Sequence, residues 1–178
     1  RKVDSADMSA DVTKLKAAIK YGDQDMSAAR ALIEECPASD PDTIVNEACV
    51  LYMEGSYDKA LAKFTEVFNT FGYSGDVSYN LALCHYRSKH YAPALKHIAD
   101  IIERGITDHP ELSVGMATEG IEVRSVGNTT VLEDTSLIEA FNLKSAIEYQ
   151  LKNVEAALEA LTDMPPRSEE ELDPVSLH

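Results

Sequence analysis

Hydrophobic and polar positions recur along the chain in blocks of about 34 residues. Residues 46–64, NEACVLYMEGSYDKALAKF, align with residues 80–98, NLALCHYRSKHYAPALKHI, at an offset of 34. Six positions coincide: Asn46 with Asn80, Ala48 with Ala82, Tyr52 with Tyr86, Tyr57 with Tyr91, Ala60 with Ala94 and Leu61 with Leu95. Looser copies occupy 14–33 and 142–161, at offsets of 31 and 63. The chain is therefore expected to be built from internal repeats.

Each copy has the pattern of two short amphipathic helices joined by a tight polar turn. In 46–64 the turn is Glu54-Gly55-Ser56, where glycine tolerates the left-handed backbone that ends a helix. Small residues such as Ala48 and Ala60 let the paired helices approach closely. A 34-residue period of helix pairs is typical of tetratricopeptide repeats, which stack into a superhelix. The predicted fold class is all-α, with an ordinary helical bundle as the alternative.

The repeats predict boundaries along the chain. Four helix pairs are expected at 11–36, 43–70, 77–104 and 136–163, after a linker or unrelated remnant at 1–10 and before the start of a fifth repeat at 173–178. An insertion fills 105–135. Its segments IEVRSV and TTVLED flank Gly127-Asn128, a dipeptide that permits a hairpin turn. A hairpin or an irregular loop can both be built here, either docking a partner or packing on the repeats.

The charge balance restricts the class of partner. The chain has 31 Asp and Glu residues and 16 Lys and Arg residues, so its formal net charge is −15. Nucleic acids and anionic membranes attract clustered basic residues, so neither is expected as a partner. No apolar stretch approaches the roughly 20 residues of a membrane span, and no secretory leader is expected. Three widely spaced cysteines are typical of a reducing compartment. A soluble intracellular protein is predicted.

Catalytic and metal-binding patterns are absent from the sequence. The histidines lie outside any HExxH or CxxC context, and His85 and His97 are expected to pack or face solvent. Asp23-Gln24-Asp25 begins like a calcium loop but lacks the glycine at the sixth position. No phosphate-binding loop occurs. The sequence therefore predicts a protein that is not an enzyme and has no metal or cofactor.

The best candidate for a binding site is a tyrosine that recurs in the first helix of each pair. When the copies are aligned on it, residues three and seven positions earlier share its face. The candidate partner-binding residues are Tyr21, Val45, Cys49, Tyr52, Tyr79, Leu83, Tyr86, Asn142, Ala146 and Tyr149. Flat tyrosine rings suit an extended apolar or proline-rich chain, since they stack on a stiff polyproline backbone. The alternative is that each tyrosine packs against the next repeat.

Three segments carry a family resemblance. Residues 16–21, 90–132 and 139–178, with the specific stretches SVGMATEGIEVRSVGNT and LTDMPPR, resemble the tetratricopeptide repeat protein 30 family. That family is the tetratricopeptide subunit of the intraflagellar transport B complex. The resemblance implies a non-catalytic superhelix, without cofactor, that wraps a proline-rich segment of another core subunit in the cilium or flagellum and the cytoplasm at its base. It also implies that the chain is a fragment of a longer solenoid.

Two competing functions follow from the same repeat pattern. A co-chaperone module would clamp the acidic tail of a heat-shock protein through a lysine followed by an asparagine four residues later. The corresponding pairs here are Lys14 with Ala18, Val45 with Cys49, Tyr79 with Leu83, and Asn142 with Ala146. None of them provides the clamp, and a chain with net charge −15 would repel an acidic tail. An accessory domain of an enzyme remains the other alternative.

Overall fold

The computed structural model of the chain describes residues 5–112, 114–115 and 129–165. These described residues contain nine α-helices and no strand, which confirms the all-α fold class. The helices are α1 (Ser5–Gly22), α2 (Met26–Glu34), α3 (Pro41–Met53), α4 (Tyr57–Phe71), α5 (Gly75–Arg87), α6 (Tyr91–Asp108), α7 (Thr129–Thr135), α8 (Leu137–Gln150) and α9 (Val154–Thr162). One turn of 3-10 helix, Pro110–Leu112, follows α6.

The helices pack as antiparallel pairs that fall into two compact units. Unit 1, Arg1–Tyr73, holds the pairs α1/α2 and α3/α4, and α3 packs against both helices of the first pair. Unit 2, Ser74–His178, holds the pairs α5/α6 and α8/α9, and α8 packs against both α5 and α6. Within each unit, successive pairs therefore stack as the repeat pattern predicts.

The turn inside each pair has the same backbone geometry four times. The third residue after the recurring tyrosine has positive φ, and these residues are Gln24, Gly55, Lys89 and Lys152. Its N–H donates to the tyrosine carbonyl at 2.9–3.1 Å, and the next N–H donates to the carbonyl of the residue before the tyrosine at 2.8–2.9 Å. This pair of bonds is the Schellman motif, which satisfies the last carbonyls of the first helix. The turns are spaced by the same offsets as the sequence copies.

Alanines bring the two helices of each pair together. Ala29, Ala60 and Ala94 have no exposed surface, and Ala157, in the same place on α9, is 7% exposed. The facing alanines of the first helices, Ala48 and Ala82, are also fully buried. A methyl group is the largest side chain that such close contacts admit without moving a helix.

The larger core lies in unit 2, where Phe141, Leu137 and Ile147 of α8 meet Ile98 and Ile101 of α6. Two glycines permit this packing. A Cβ atom at Gly105 of α6 would lie 2.6 Å from the Leu137 side chain, and one at Gly75 of α5 would lie 2.7 Å from the Thr135 carbonyl oxygen at the end of α7. In unit 1 a smaller cluster joins Ala17, Ala29, Ile33 and Val50.

Two boundaries differ from the sequence expectations. Helix α1 begins at Ser5, so residues 5–10 are helical where a linker was expected; alanine and methionine here favour a helix. The first residues of the expected insertion, 105–108, belong to α6. The segment TTVLED, which would form the second arm of the hairpin, is helical in α7, so the hairpin alternative is wrong. Burial of Leu132 in the unit 2 core and packing of α7 on α5 and α8 outweigh the β-branched residues. The first arm, IEVRSV, and the expected fifth repeat at 173–178 lie outside the described residues.

Candidate partner-binding site

Four of the predicted site residues come together in unit 1. Tyr21 at the end of α1 lies beside Cys49 and Tyr52 of α3, close enough that both contribute electrostatically to its titration. Burial is the main cause that raises the pKa of the Tyr21 hydroxyl. Tyr21, Cys49 and Asn46 line a small cavity of about 160 Å³. Val45 stands one turn earlier on α3, and all four candidate residues are half-buried.

The tyrosine of α3 also has a structural role. The ring centroid of Tyr52 lies 5.3 Å from that of Tyr57, the first residue of α4, and the two ring planes meet at 63°. This edge-to-face geometry is the favourable one for aromatic pairs and contributes about 0.5–1.5 kcal/mol. Part of the Tyr52 surface is therefore used to close its own helix pair.

The same contact recurs in unit 2. Tyr79, Leu83 and Tyr86 of α5 are half-buried and pack against the unit 2 core. The ring centroid of Tyr86 lies 6.0 Å from that of Tyr91, the first residue of α6, at an interplanar angle of 43°. Tyr86 thus occupies the place of Tyr52 both in the sequence repeat and in its contact with the second helix.

The last three predicted site residues lie on α8 and differ from these. Asn142 and Ala146 are half-buried, but Tyr149 is 62% exposed. Five residues after Tyr149, where the pairs α3/α4 and α5/α6 have Tyr57 and Tyr91, the chain has Val154, which is 63% exposed. Instead, the Lys152 ammonium lies 5.9 Å from the centre of the Tyr149 ring, within cation–π range.

Lys14 stands at the position where a co-chaperone clamp would place its lysine. Its Nζ lies 3.1 Å from Asp40 Oδ2, 3.2 Å from Asp42 Oδ2 and 3.6 Å from Asp11 Oδ1. The hydrogen bond to Asp40 is the main cause that raises the Lys14 pKa. Burial alone would raise the pKa of Asp40, but hydrogen bonds from Thr43 and Lys14 outweigh it and lower the pKa. Three carboxylates of the scaffold therefore already hold the Lys14 charge.

The histidines of α5 and α6 pack against one another. The rings of His85 and His97 stack with centroids 5.8 Å apart, and His90 lies 6.3 Å from His85. Burial lowers the pKa of both His85 and His97, and the neighbouring histidines add to the effect at His85. Across the described ranges, no group of three His, Cys, Asp or Glu residues is arranged to hold a metal ion.

None of the helices in the described part of the chain is both long enough and apolar enough to cross a bilayer.

The structure also reveals an apolar groove that sequence reasoning missed. It lies between α6 and α8 in unit 2, and its floor includes Ile102 and Ile106. The signal was present in the sequence, because α6 carries isoleucines at 98, 101, 102 and 106, more than one buried stripe requires. Ile98 and Ile101 are fully buried, whereas Ile106 is 49% exposed.

Comparison with known proteins finds close relatives. The chain is 64% identical over 176 residues to intraflagellar transport protein 70A of Xenopus tropicalis, covering 99% of the chain and 27% of that protein. It is 65% identical over 165 residues to intraflagellar transport protein 70A of Danio rerio, covering 93% of the chain and 25% of that protein. Identity to intraflagellar transport protein 70A2 of Mus musculus is 62% over 177 residues, covering 94% of the chain and 27% of that protein. No protein-family model matches the chain.

Proposed function

We propose that this chain is part of an intraflagellar transport protein and acts, without catalysis, as a scaffold within the transport complex of the cilium or flagellum. The support is the identity of 62–65% to relatives that carry this name. The chain spans about a quarter of the length of those relatives, so it contributes one section of a longer protein. The expected location is the cilium or flagellum and the cytoplasm at its base.

The finer part of the proposal concerns the partner. The chain binds an extended, proline-rich or apolar segment of another core subunit of the intraflagellar transport B complex. The recurring tyrosines and their neighbours on the same helix face make the contacts with this segment. They form two sets of residues, one in each unit. A proline-rich segment has few backbone donors to satisfy, so flat rings with hydroxyl groups at their edges can hold it by stacking and by bonds to its carbonyls.

One observation carries this proposal. A tyrosine is the second-to-last residue of the first helix in each of four equivalent turns, and the turn N–H donates to its carbonyl each time. The repeated backbone presents the repeated ring in the same local frame, as recognition of an extended chain requires. Half-burial of Tyr52 and Tyr86 leaves part of each ring accessible, and Tyr149 is mostly accessible.

The co-chaperone alternative is less compatible with the geometry. A clamp for an acidic tail needs an available lysine in the first helix. Lys14 is 17% exposed and held by Asp11, Asp40 and Asp42. Freeing its ammonium would leave three carboxylates near one another without a counter-charge.

The proposal is tested by capture of the partner in ciliated cells. Full-length tagged protein is compared with a variant that carries Tyr52→Ala, Tyr86→Ala and Tyr149→Ala, and with a matched variant that has Phe at the same positions. The Ala variant should recover less of the other transport subunits. The Phe variant keeps the ring contacts with Tyr57 and Tyr91, and should recover an intermediate amount because it lacks only the hydroxyls.

Thermal melts of all three proteins identify the cause of any loss. The Ala variant is expected to melt at a lower temperature, because it loses the ring contacts with Tyr57 and Tyr91. Reduced recovery of the other subunits, measured at a temperature where the melts show the Ala variant still folded, supports tyrosine-mediated binding. Undiminished recovery means that these rings belong to the scaffold and that the partner docks elsewhere.

A further inference from the structure

The groove between α6 and α8 is a second surface, formed entirely within unit 2. Its floor is a row of apolar side chains on α6, Leu95, Ile98, Ile102 and Ile106, and its volume is about 580 Å³. Within the row Ile98 is the most buried residue, at 1% exposed, and Ile106 is the most exposed, at 49%. The row extends from Leu95 to Ile106, eleven steps along the helix, which is about 16 Å. A groove of this length matches about three turns of a second helix.

We propose that this groove docks an amphipathic helix of a partner protein, with its apolar face on the isoleucines and basic residues along its flanks. This surface is separate from the recurring tyrosines and does not depend on them. It gives the scaffold a second contact of different chemistry, a helix instead of an extended chain.

The chemistry of the floor favours a helix. Leucine and isoleucine side chains offer no hydrogen-bond donor or acceptor. An extended segment laid on them would bury backbone N–H and C=O groups without partners, at a cost of about 1–3 kcal/mol for each group. A helix satisfies its own backbone and presents apolar side chains at three- and four-residue spacing. The floor residues Leu95, Ile98, Ile102 and Ile106 follow the same spacing.

The charges at the rim favour basic flanks. Glu103 lies on the α6 side and Lys144 and Glu148 on the α8 side, so carboxylates outnumber the ammonium. Within the described ranges no ion pair engages the Glu103 carboxylate. The whole chain has a net charge of −15, which attracts a basic segment and repels an acidic one.

The test uses a synthetic peptide of about 14 residues, long enough to cover the groove as a helix. The probe contains only leucine and lysine, with leucines at helical three- and four-residue spacing and a fluorescent label. A second peptide replaces every lysine with glutamate, and a third has the composition of the first with its leucines distributed around the helix. Fluorescence anisotropy with the full-length protein measures each dissociation constant.

Two variants with the same change in charge locate the binding surface. Ile106→Glu lies in the groove, and Phe71→Glu lies at the end of α4, where Phe71 is 53% exposed against 49% for Ile106. The leucine–lysine peptide should bind Ile106→Glu at least tenfold more weakly and Phe71→Glu within about twofold of the parent. Glu103→Lys should weaken binding of this peptide and strengthen binding of the leucine–glutamate peptide.

Three outcomes overturn the proposal: no saturable binding of the leucine–lysine peptide, equal binding of the third peptide, or equal loss of affinity in Ile106→Glu and Phe71→Glu. The last would show attraction by net charge alone. Both variants should remain folded, because both substituted positions are exposed, and circular dichroism melts check this. The tyrosine-capture experiment has a different readout, so failure of one proposal leaves the other to be judged by its own result.

Discussion

Tyr86 and Tyr149 occupy the same repeat position in the two helix pairs of unit 2, yet their surroundings differ. Tyr86 is half-buried against the core and contacts Tyr91. Tyr149 is 62% exposed, and the residue in the place of Tyr91 is Val154, also exposed. Their backbones are nearly the same, with the turn N–H bonded to the tyrosine carbonyl at 2.9 Å and 3.1 Å. The repeat therefore determines where a ring stands, and its neighbours determine how far it is buried.

The difference comes from what packs against each pair. Helix α8 packs on both α5 and α6, so the first pair of unit 2 has a neighbour. In the described part of the chain, no helix follows α9, and α9 carries the exposed residues Val154, Leu158 and Leu161. Such a stripe is typical of a helix that packs against a further element.

The largest expected effect is at the helix–helix contact. Ala94→Trp should destabilise the protein by about 3 kcal/mol or more, because a fully buried methyl group has no space for an indole. Ala157→Trp, at the equivalent position of α9, should cost less, since Ala157 is 7% exposed. Urea unfolding of both variants measures this, with exposed Ala92→Trp as the control. Equal stability of Ala94→Trp and the parent would mean that the assigned repeat register is wrong.

Removal of the two compared tyrosines should give unequal effects. Tyr86→Ala should cost about 2 kcal/mol, because the ring packs on the core and on Tyr91. Tyr149→Ala in this chain should change stability by about 0.5 kcal/mol or less, as is usual for exposed side chains. Chemical denaturation of both variants provides the comparison. Tyr86→Phe serves as the control and should stay near the parent; similar costs for the two alanine variants would contradict the difference described here.

A smaller effect is expected at the turns. Lys89 has φ of +60° and Lys152 has φ of +68°, a conformation that favours glycine. Lys89→Gly should therefore stabilise the chain by up to about 1 kcal/mol. Lys152→Gly should gain less, because it also removes the ammonium from the Tyr149 ring. Gly55→Ala should destabilise, since φ at Gly55 is +79°. Thermal melts measure all three, and a loss of stability in Lys89→Gly would refute this interpretation of the turn.

The smallest effect should come from pH, and it should separate the units. The pKa of His85 and of His97 in the folded chain is below the ordinary value of 6.5, chiefly through burial. The unfolded chain therefore binds protons first, and stability present above about pH 6.5 is lost as the pH falls through the lowered values. At His97, Asp100 opposes this shift and Lys96 adds to it.

Hydrogen exchange gives the measurement for each unit. Every histidine of the chain lies in unit 2 and none in unit 1. From about pH 7.5 to about 5.5, after correction for intrinsic exchange rates, amides of α5 and α6 should lose more protection than those of α3 and α4. His97→Gln should reduce that loss. Equal changes in the two units would exclude the histidines as the cause.

The sequence could predict the helix pairs because local chemistry determines them. Alanine recurs at Ala60 and Ala94, and tyrosine at Tyr52 and Tyr86, so single residue types at an offset of 34 indicate the register of the repeat. The burial of Tyr86 and Tyr149 depends on helices distant in sequence, so a repeat alignment alone could not distinguish them. Helix α7 was missed because threonine and valine favour strands locally, whereas burial of Leu132 against unit 2 decides the outcome.

For the candidate site, the sequence could predict only where the recurring tyrosine stands in each repeat. The pattern identified the tyrosine position, and the structure brings Tyr21 beside Tyr52 and Cys49. The sequence pattern did not indicate the Tyr52–Tyr57 and Tyr86–Tyr91 contacts, which give these rings a structural role as well. That they bind a partner remains the prediction made from the sequence.

Photo-crosslinking from the tyrosine position tests the central claim most directly. p-Azidophenylalanine is incorporated at Tyr52, Tyr86 or Tyr149 of the full-length protein in ciliated cells, where it preserves the ring and reacts with whatever touches it. Phe71, exposed at 53% on α4, provides the control position. The account predicts adducts with a proline-rich or apolar segment of another transport subunit from the tyrosine positions and none from Phe71. Adducts from Phe71 alone, or none from any tyrosine position, would contradict it.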